Sequence, residues 1–369
     1  MKILVLNYRD RKHPAAGGAE RHLHAIFSRL VQKGHQVVLL TTTFPGAPER
    51  EIVDGIQVIR HGGDLLFQWT VIKEFKKLDK EFEFDVIFED LNKLPLFTPH
   101  LTKKPHLIQM HHLWKKSIFA EASFPVAFGV WLFERLIPLI YRKSPFVVVS
   151  PSTKKELASI GIAEERISLV YNGADGRDVL PIPEKGNYFL WLSRVHRYKG
   201  IWTALKAFRR FVEKNPGVRL KVAGDGPLLK KLPQVLKKWG ISHLVDLEGF
   251  VVKEKKQELL QNAIALLQTS EKEGWGLTVI EAAECFTTTI ASRVPGLMDS
   301  VKDGKTGILF ENRDDCACAR AMELLFKDTE LRKKLELAAK KYSQEFSWDK
   351  AAFETEHLLE KIVNSPGSL

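Results

Sequence analysis

Short runs that are apolar at nearly every position recur through the first half of the chain, each followed by a helical pattern. The first is KILVLN (2–7), followed by the amphipathic stretch AERHLHAIFSRLVQKG (19–34), which Gly34 ends. HQVVLLTT (35–42), FDVIFED (84–90), HLIQMHH (106–112), FVVVSP (146–151) and ISLVYNG (167–173) continue the series. A strand apolar on both faces has to be covered on both faces, and helical connections between such strands supply that cover. The pattern therefore predicts a parallel sheet with helices on each side. At 172–186 the texture changes to NGADGRDVLPIPEKG, whose Gly, Pro and Asp read as a linker. The series then restarts with YFLWLSR (188–194), RLKVAGDG (219–226), VDLEGFV (245–251), AIALLQTS (263–270) and TTTIASR (287–293). From Asp314 to Val363 the chain reads as helix throughout. Two successive doubly wound α/β domains are expected, and 369 residues suit two cores better than one. In such sheets ligands bind beyond the carboxyl ends of the strands, so the cleft between two such domains is the expected site.

Composition narrows the function classes. With 44% hydrophobic and 27% charged residues the chain has ordinary globular usage, which excludes disordered and fibrous classes. Its 3 cysteines, Cys285, Cys316 and Cys318, form no C-x-x-C pair, so neither a disulfide framework nor a structural metal is expected, and a reducing compartment is. The apolar run Ile3–Leu6 is too short for a secretory h-region, and the longest uncharged, mostly apolar stretch, 122–133, falls short of the roughly 20 residues a membrane-spanning helix needs. Net charge is +11, which suits phosphate-bearing partners. It concentrates in 103–143, where seven cations (Lys103, Lys104, Lys115, Lys116, Arg135, Arg142, Lys143) face two carboxylates (Glu121, Glu134), a balance of +5. Nucleic acid is not the expected partner, because the chain has no RNA or DNA motif and its other basic residues are dispersed.

Three loops carry candidate chemistry. Gly17 and Gly18 follow the first strand and precede a helix, where glycines allow close backbone approach and free amides attract anions. G-x-G-x-x-G occurs nowhere, so this is not a dinucleotide fingerprint. In the second half, Arg194 ends a strand and Lys199 begins the next helix. Arg through its fork and Lys as a point charge can clamp a diphosphate. Further on, S-E-K-E-G-W-G-L-T-V-I-E-A-A starts at Ser270, with Glu273 in a loop and Glu281 about one turn into a helix. Carboxylates accept from vicinal hydroxyls, which suits a hexose and a ribose, and the amides of Gly276, Leu277 and Thr278 suit the diphosphate between them.

Taken together, E-x7-E from Glu273 to Glu281, G-G-A-E (17–20), S-R-x4-K-G (193–200), G-D-G-P (224–227), Y-N-G-A-D (171–175), R-V-P-G-L-M-D-S-V-K-D-G-K-T-G-I-L-F (293–310) and F-S-W from Phe346 resemble the family 4 retaining glycosyltransferases. The resemblance runs in order through nearly the whole chain. It implies a GT-B fold of two Rossmann-like domains facing a central cleft: an acceptor domain over 1–176, a donor domain over 177–346, and a C-terminal helix over 347–365 crossing back onto the first. It implies Glu281 on the donor ribose, Glu273 on the sugar hydroxyls, Arg194 and Lys199 on the diphosphate, and the Gly17–Gly18 loop over it. A histidine at the end of a first-domain strand is expected beside the reacting sugar, here His111, with His112 as the alternative. Metal-independent retention is implied, with the departing phosphate taking the acceptor's proton and no cofactor beyond the sugar-nucleotide donor; no D-x-D occurs in the chain. One stretch departs from the pattern. After Glu281 a glycine usually ends the helix and a proline opens the next strand, but this chain has Phe286 and Thr288. A left-handed helix end without glycine costs roughly 1 kcal/mol, which calls the local helix geometry into question.

The basic window is also aromatic: Trp114, Phe119, Phe124, Phe128, Trp131 and Phe133 accompany its lysines and arginines. That composition suits an anionic membrane surface and hence a lipid-linked or envelope saccharide acceptor, with the protein cytoplasmic and peripheral on the inner membrane face. A helix pair buried against its own domain is the competing expectation. An epimerase or phosphorylase of the same fold, or a sugar-nucleotide binding protein without turnover, are the rival functions.

Overall fold

The computed structural model describes residues 1–92, 94–175 and 184–364. The middle of the expected linker, 176–183, and the last residue expected of the C-terminal helix lie outside these. The chain divides into two compact units, Met1–Gly173 with Trp348 onward, and Ala174–Ser347.

In the first unit the chain runs β1 (Lys2–Leu6), α1 (Gly18–Gln32), β2 (Gln36–Thr41), β3 (Arg50–Val53), β4 (Ile56–Arg60), α2 (Phe67–Phe82), β5 (Val86–Asp90), α3 (Thr98–Leu101), β6 (His106–Met110), α4 (Phe124–Ile140), β7 (Phe146–Val148), α5 (Pro151–Ala158) and β8 (Ile167–Leu169). The sheet order is β3-β4-β2-β1-β5-β6-β7-β8, parallel except for β3. Alternation sorts the side chains. Leu4, Leu6, Val38, Leu40 and Ile87 pack against Phe67, Val71 and Phe75 of α2, while Ile108, Met110, Phe146 and Val148 pack against Ile137 of α4 and Leu157 of α5. The hairpin β3–β4 is an addition to the expected strands. Its turn is Asp54-Gly55, both at positive φ (52° and 81°), a two-residue connection whose twist matches the strands.

The second unit runs β9 (Tyr188–Leu192), α6 (Ile201–Val212), β10 (Arg219–Ala223), α7 (Leu232–Lys238), β11 (Val245–Gly249), α8 (Lys253–Asn262), β12 (Leu266–Gln268), α9 (Leu277–Glu284), β13 (Thr289–Ser292), α10 (Leu297–Ser300), β14 (Gly307–Phe310), α11 (Asp315–Lys327) and α12 (Thr329–Ser343). Its sheet is wholly parallel, in the order β11-β10-β9-β12-β13-β14. One face carries Phe189, Trp191, Leu220, Val222, Leu267 and Ile290 against α6 and α11; the other carries Leu190, Leu192 and Leu266 against Leu259, Leu260 and Ala282. Edge strand β14 is a second addition to the expected set. The final helix, α13 (Trp348–Asn364), belongs to the first unit. There Arg29 of α1 reaches Asp349 at 2.5 Å and His35 reaches Glu356 at 2.7 Å. No helix among the described residues is long and apolar enough to cross a membrane.

Candidate active site

In the first unit, β1, β5 and β6 are parallel neighbours, so their carboxyl ends share one edge. Asn7 follows β1, Asp90 ends β5 and His111 follows β6. His111 Nε2 lies 3.2 Å from Asp90 Oδ1, and its carbonyl accepts from Thr153 Oγ1 at 3.0 Å. Burial alone would drive the His111 imidazole toward neutrality, but the Asp90 charge and hydrogen bond, with Glu20 beyond, outweigh it and hold its pKa above the ordinary value. The ring of His22, on α1, meets His111 edge to face at 5.0 Å, and its Nδ1 pairs with Asn172 Oδ1 at 2.6 Å. Complete burial and the His111 charge push His22 down to about 3, so one of these two rings stays neutral while the other favours its proton. His112 is half-buried and rests its ring against Trp114.

The Gly17–Gly18 turn starts α1. The Gly17 amide donates to the Glu20 carboxylate at 2.6 Å, and burial raises the Glu20 pKa. A Cβ at Gly18 would meet open space, so no packing demand requires glycine at 18.

The second unit brings its candidates together. β9 and β12 are paired in parallel, so the loop 193–200 after one strand and the loop 269–276 after the other lie side by side. They are joined by main chain and side chain alike. The Glu271 amide donates to Tyr198 O at 2.7 Å, Thr269 Oγ1 donates to Gly200 O at 2.8 Å, and Lys199 Nζ reaches Glu273 Oε1 at 2.5 Å. Gly200 is obligatory in this junction: its φ is +71° and a Cβ there would stand 1.8 Å from Thr269 O. Glu273 Oε1 also accepts from Gln268 Nε2 at 3.0 Å and Ser270 Oγ at 2.8 Å. Three donors thus converge on one oxygen of this carboxylate and fix its plane. Arg194 donates from Nη2 to the Tyr198 hydroxyl at 2.6 Å.

Gly276, at φ +88°, leads into α9, and the first amides of a helix have no acceptor within it, so Leu277 and Thr278 present donors toward the loop side. Glu281 lies within α9, nearly buried, paired with Lys256 of α8 at 2.8 Å. Sequence reasoning did not reach Lys256, Asp90, His22 or Tyr198. Asp90 carried a usable signal, a carboxylate closing an apolar parallel strand, whereas the pairing of Lys256 with Glu281 depends on how α8 packs. Among the described residues, no three His, Cys, Asp or Glu side chains are grouped as a metal ion requires.

Phe286 does occupy the left-handed helix end, at φ +54°. Its amide donates to Ala283 O and the Thr287 amide to Ala282 O, which closes α9 as a glycine would. Lys185 Nζ donates to Phe286 O at 2.7 Å, Thr287 Oγ1 at 2.8 Å and Gln261 O at 2.9 Å; Lys340 Nζ donates to Glu284 O at 3.1 Å and lies over the Phe286 ring. Two ammonium groups at the carbonyl end of α9 also complement its dipole.

Comparison with known proteins agrees with the fold. The profile of Glycosyltransferase Family 4 matches residues 16–176, and that of Glycosyl transferases group 1 matches residues 174–342. An uncharacterized glycosyltransferase of Methanocaldococcus jannaschii is 25% identical over 394 aligned positions, 96% of this chain and 97% of its own. Sucrose-phosphate synthase from Thermosynechococcus elongatus superposes with a TM-score of 0.83 at 20% identity, covering 99% of this chain and 100% of that one. Anabaena HepE in complex with UDP-glucose gives 0.77 at 17% identity, over 98% and 100%. The chain therefore belongs to the glycosyltransferases of GT-B fold, with a family 4 domain followed by a group 1 domain.

Proposed function

We propose that the protein moves a hexose-type sugar from a nucleoside-diphosphate sugar, UDP- or GDP-linked, to a saccharide or lipid-linked acceptor, with retention and without a metal, in cell-envelope glycan synthesis. The observation that carries this reading is the convergence, at one edge of the second sheet, of Arg194, Lys199, Glu273 and the start of α9, with Glu281 on the same helix. In it, Arg194, Lys199 and the amides of Gly276, Leu277 and Thr278 take the diphosphate, and Glu281 takes the ribose. Glu273, held by three donors on Oε1, turns its other oxygen to the sugar hydroxyls. The charge developing on the leaving diphosphate meets donors already in place, and electrostatic preorganisation of this kind is often the largest single contribution to catalysis. The departing phosphate then accepts the acceptor's proton. Within the first unit, the reading assigns roles to His111, oriented by Asp90, and to the Gly17–Gly18 turn. HepE, whose structure holds UDP-glucose, supports the donor class.

The acceptor reading rests on α4. Its buried face is Ala127, Val130, Glu134 and Ile137, and its opposite face presents Phe124 (71% exposed), Phe128, Leu132 and Leu139 (70% exposed). Phe119, Phe124, Phe128 and Trp131 form a continuous row of ring contacts, with the Arg135 guanidinium 3.8 Å over Trp131. Such a row with exposed Lys115, Lys116, Arg142 and Lys143 nearby in the chain suits the interface of an anionic bilayer. The segment consists of a 3-10 turn (Lys115–Ala120) followed by the single helix α4.

The test is a thermal-shift panel of UDP-, GDP- and ADP-sugars followed by a transfer assay with the best binder, the anomeric configuration of the product being read by NMR. Ligand at 100 times its Kd stabilises by about 2.7 kcal/mol, enough for a clear shift. No shift with any sugar nucleotide, or an inverted product, overturns the proposal.

A further inference from the structure

We infer that Tyr198 is a positioning residue for diphosphate departure, holding both cations of the donor site at once; this rests on the assignment of Arg194 and Lys199 to the diphosphate. Tyr198 stands between them in the chain, in the turn formed by Arg197–Lys199, and is 7% exposed although its neighbours Arg194 and Arg197 are open to solvent. Its hydroxyl accepts from Arg194 Nη2 at 2.6 Å, and its ring faces the Lys199 ammonium at 5.1 Å from the centroid. Its carbonyl accepts the Glu271 amide at 2.7 Å, which ties the turn to the loop bearing Glu273.

These contacts have a physical consequence. An arginine at the open end of a strand samples many rotamers, and each must be frozen when it meets a ligand. A buried phenol that engages one guanidinium nitrogen removes that freedom beforehand and leaves the other nitrogens for phosphate oxygens. The ring does the same for Lys199: an ammonium near an aromatic face is held electrostatically without spending its directional donors. Lys199 can therefore keep its bond to Glu273 and still offer N–H groups to a second anion, since an ammonium has three. Tyr198 touches neither donor nor acceptor in this scheme and acts through the cations alone.

The experiment compares Tyr198→Phe, Tyr198→Leu, Arg194→Ala and the double variant Arg194→Ala/Tyr198→Phe. Steady-state transfer from UDP-glucose is measured, or from whichever donor the panel selects, together with calorimetric binding of the matching nucleoside diphosphate. Tyr198→Phe keeps the ring and loses only the hydroxyl, so it should lower kcat by about 10-fold, the effect of one hydrogen bond to a charged group, with donor KM within about 2-fold. The double variant should be no slower than Arg194→Ala alone, because the hydroxyl acts through Arg194. Tyr198→Leu should lose more than Tyr198→Phe and also weaken nucleoside-diphosphate binding. Wild-type kcat in Tyr198→Phe beside a slow Arg194→Ala overturns the role of Tyr198 and leaves the diphosphate assignment standing, as does strict additivity in the double variant. Wild-type kcat in Arg194→Ala overturns the assignment and this inference with it.

Discussion

Glu273 and Glu281 each meet a lysine, yet the two pairs differ in what they leave available. Glu273 has all three of its donors on Oε1, whereas Glu281 is held inside α9 by Lys256. If Glu281 serves the ribose, its bonds are equal in ground and transition states, and such uniform binding is read in KM. Glu273, if it serves the transferred sugar, meets a ring whose charge and shape change as the bond to diphosphate breaks, so its loss is read in kcat. Glu281→Gln should raise donor KM by an amount equivalent to about 1–3 kcal/mol, and Glu273→Gln should depress kcat the more. Steady-state kinetics at saturating acceptor decide the matter; the opposite ordering means the two carboxylates exchange roles. The types of these residues and their places on loop and helix were legible in the sequence, because strand ends and helix starts announce themselves. The lysines that hold them in register were not all so: Lys199 lies in the motif, but Lys256 comes from a helix whose pattern says nothing about Glu281. The pairing of His111 with Asp90 was hidden for the same reason, since it depends on which strand lies beside which.

At the scale of elements, the apolar series gave the central strands of both sheets because buried parallel strands need continuous apolar runs. The edge strands β3 and β14, with β4 beside β3, escaped it, although the opposite edges β8 and β11 did not. An edge strand has a mixed composition, and for β3–β4 the Asp54-Gly55 turn was the better signal. The end of α9 shows a different compensation. Lys185 replaces the usual economy of a glycine with a nearly buried ammonium, whose pKa burial pushes down to about 8. Glu336 opposes that shift, while Arg332 adds to it. In the unfolded chain a lysine titrates near ~10.4. Between these values the unfolded state binds the proton and the folded state does not, so stability rises with pH across that window. Relative to Lys185→Met, the wild-type protein should gain up to about 3 kcal/mol between pH 8 and 10.4, read from urea unfolding at each pH. Parallel profiles for the two proteins would exclude this account. For α4, the exposed rings predict retention on anionic vesicles that weakens as salt rises, since the screening length falls to about 3 Å at 1 M. Phe124→Ser/Phe128→Ser should release the protein at any salt, measured by co-sedimentation; retention unchanged in that variant assigns the helix another purpose.

For the molecule as a whole, the donor chemistry is proposed to run on side chains and helix-start amides. Transfer should therefore survive excess EDTA, and loss of activity that Mg²⁺ or Mn²⁺ restores would refute the metal-free reading. The path of the chain has a consequence of a different kind. The first unit is built from Met1–Gly173 and again from Trp348 onward, and the chain passes between units at adjacent points, where Ala174 pairs with Ser347 and its amide donates to Phe346 O at 3.3 Å. The second unit is thus an insertion in the first. As the polypeptide leaves the ribosome, α1 emerges early, but α13, which supplies Asp349 and Glu356 to it and seats Trp348 beside His22, emerges after more than three hundred residues. The inserted unit has every strand and helix of its own by then, so vectorial synthesis favours its completion while the first unit still lacks one piece. The candidate catalytic groups are therefore all synthesised before α13, but His22, which meets His111 edge to face, gains its Trp348 neighbour only once synthesis has passed into that helix.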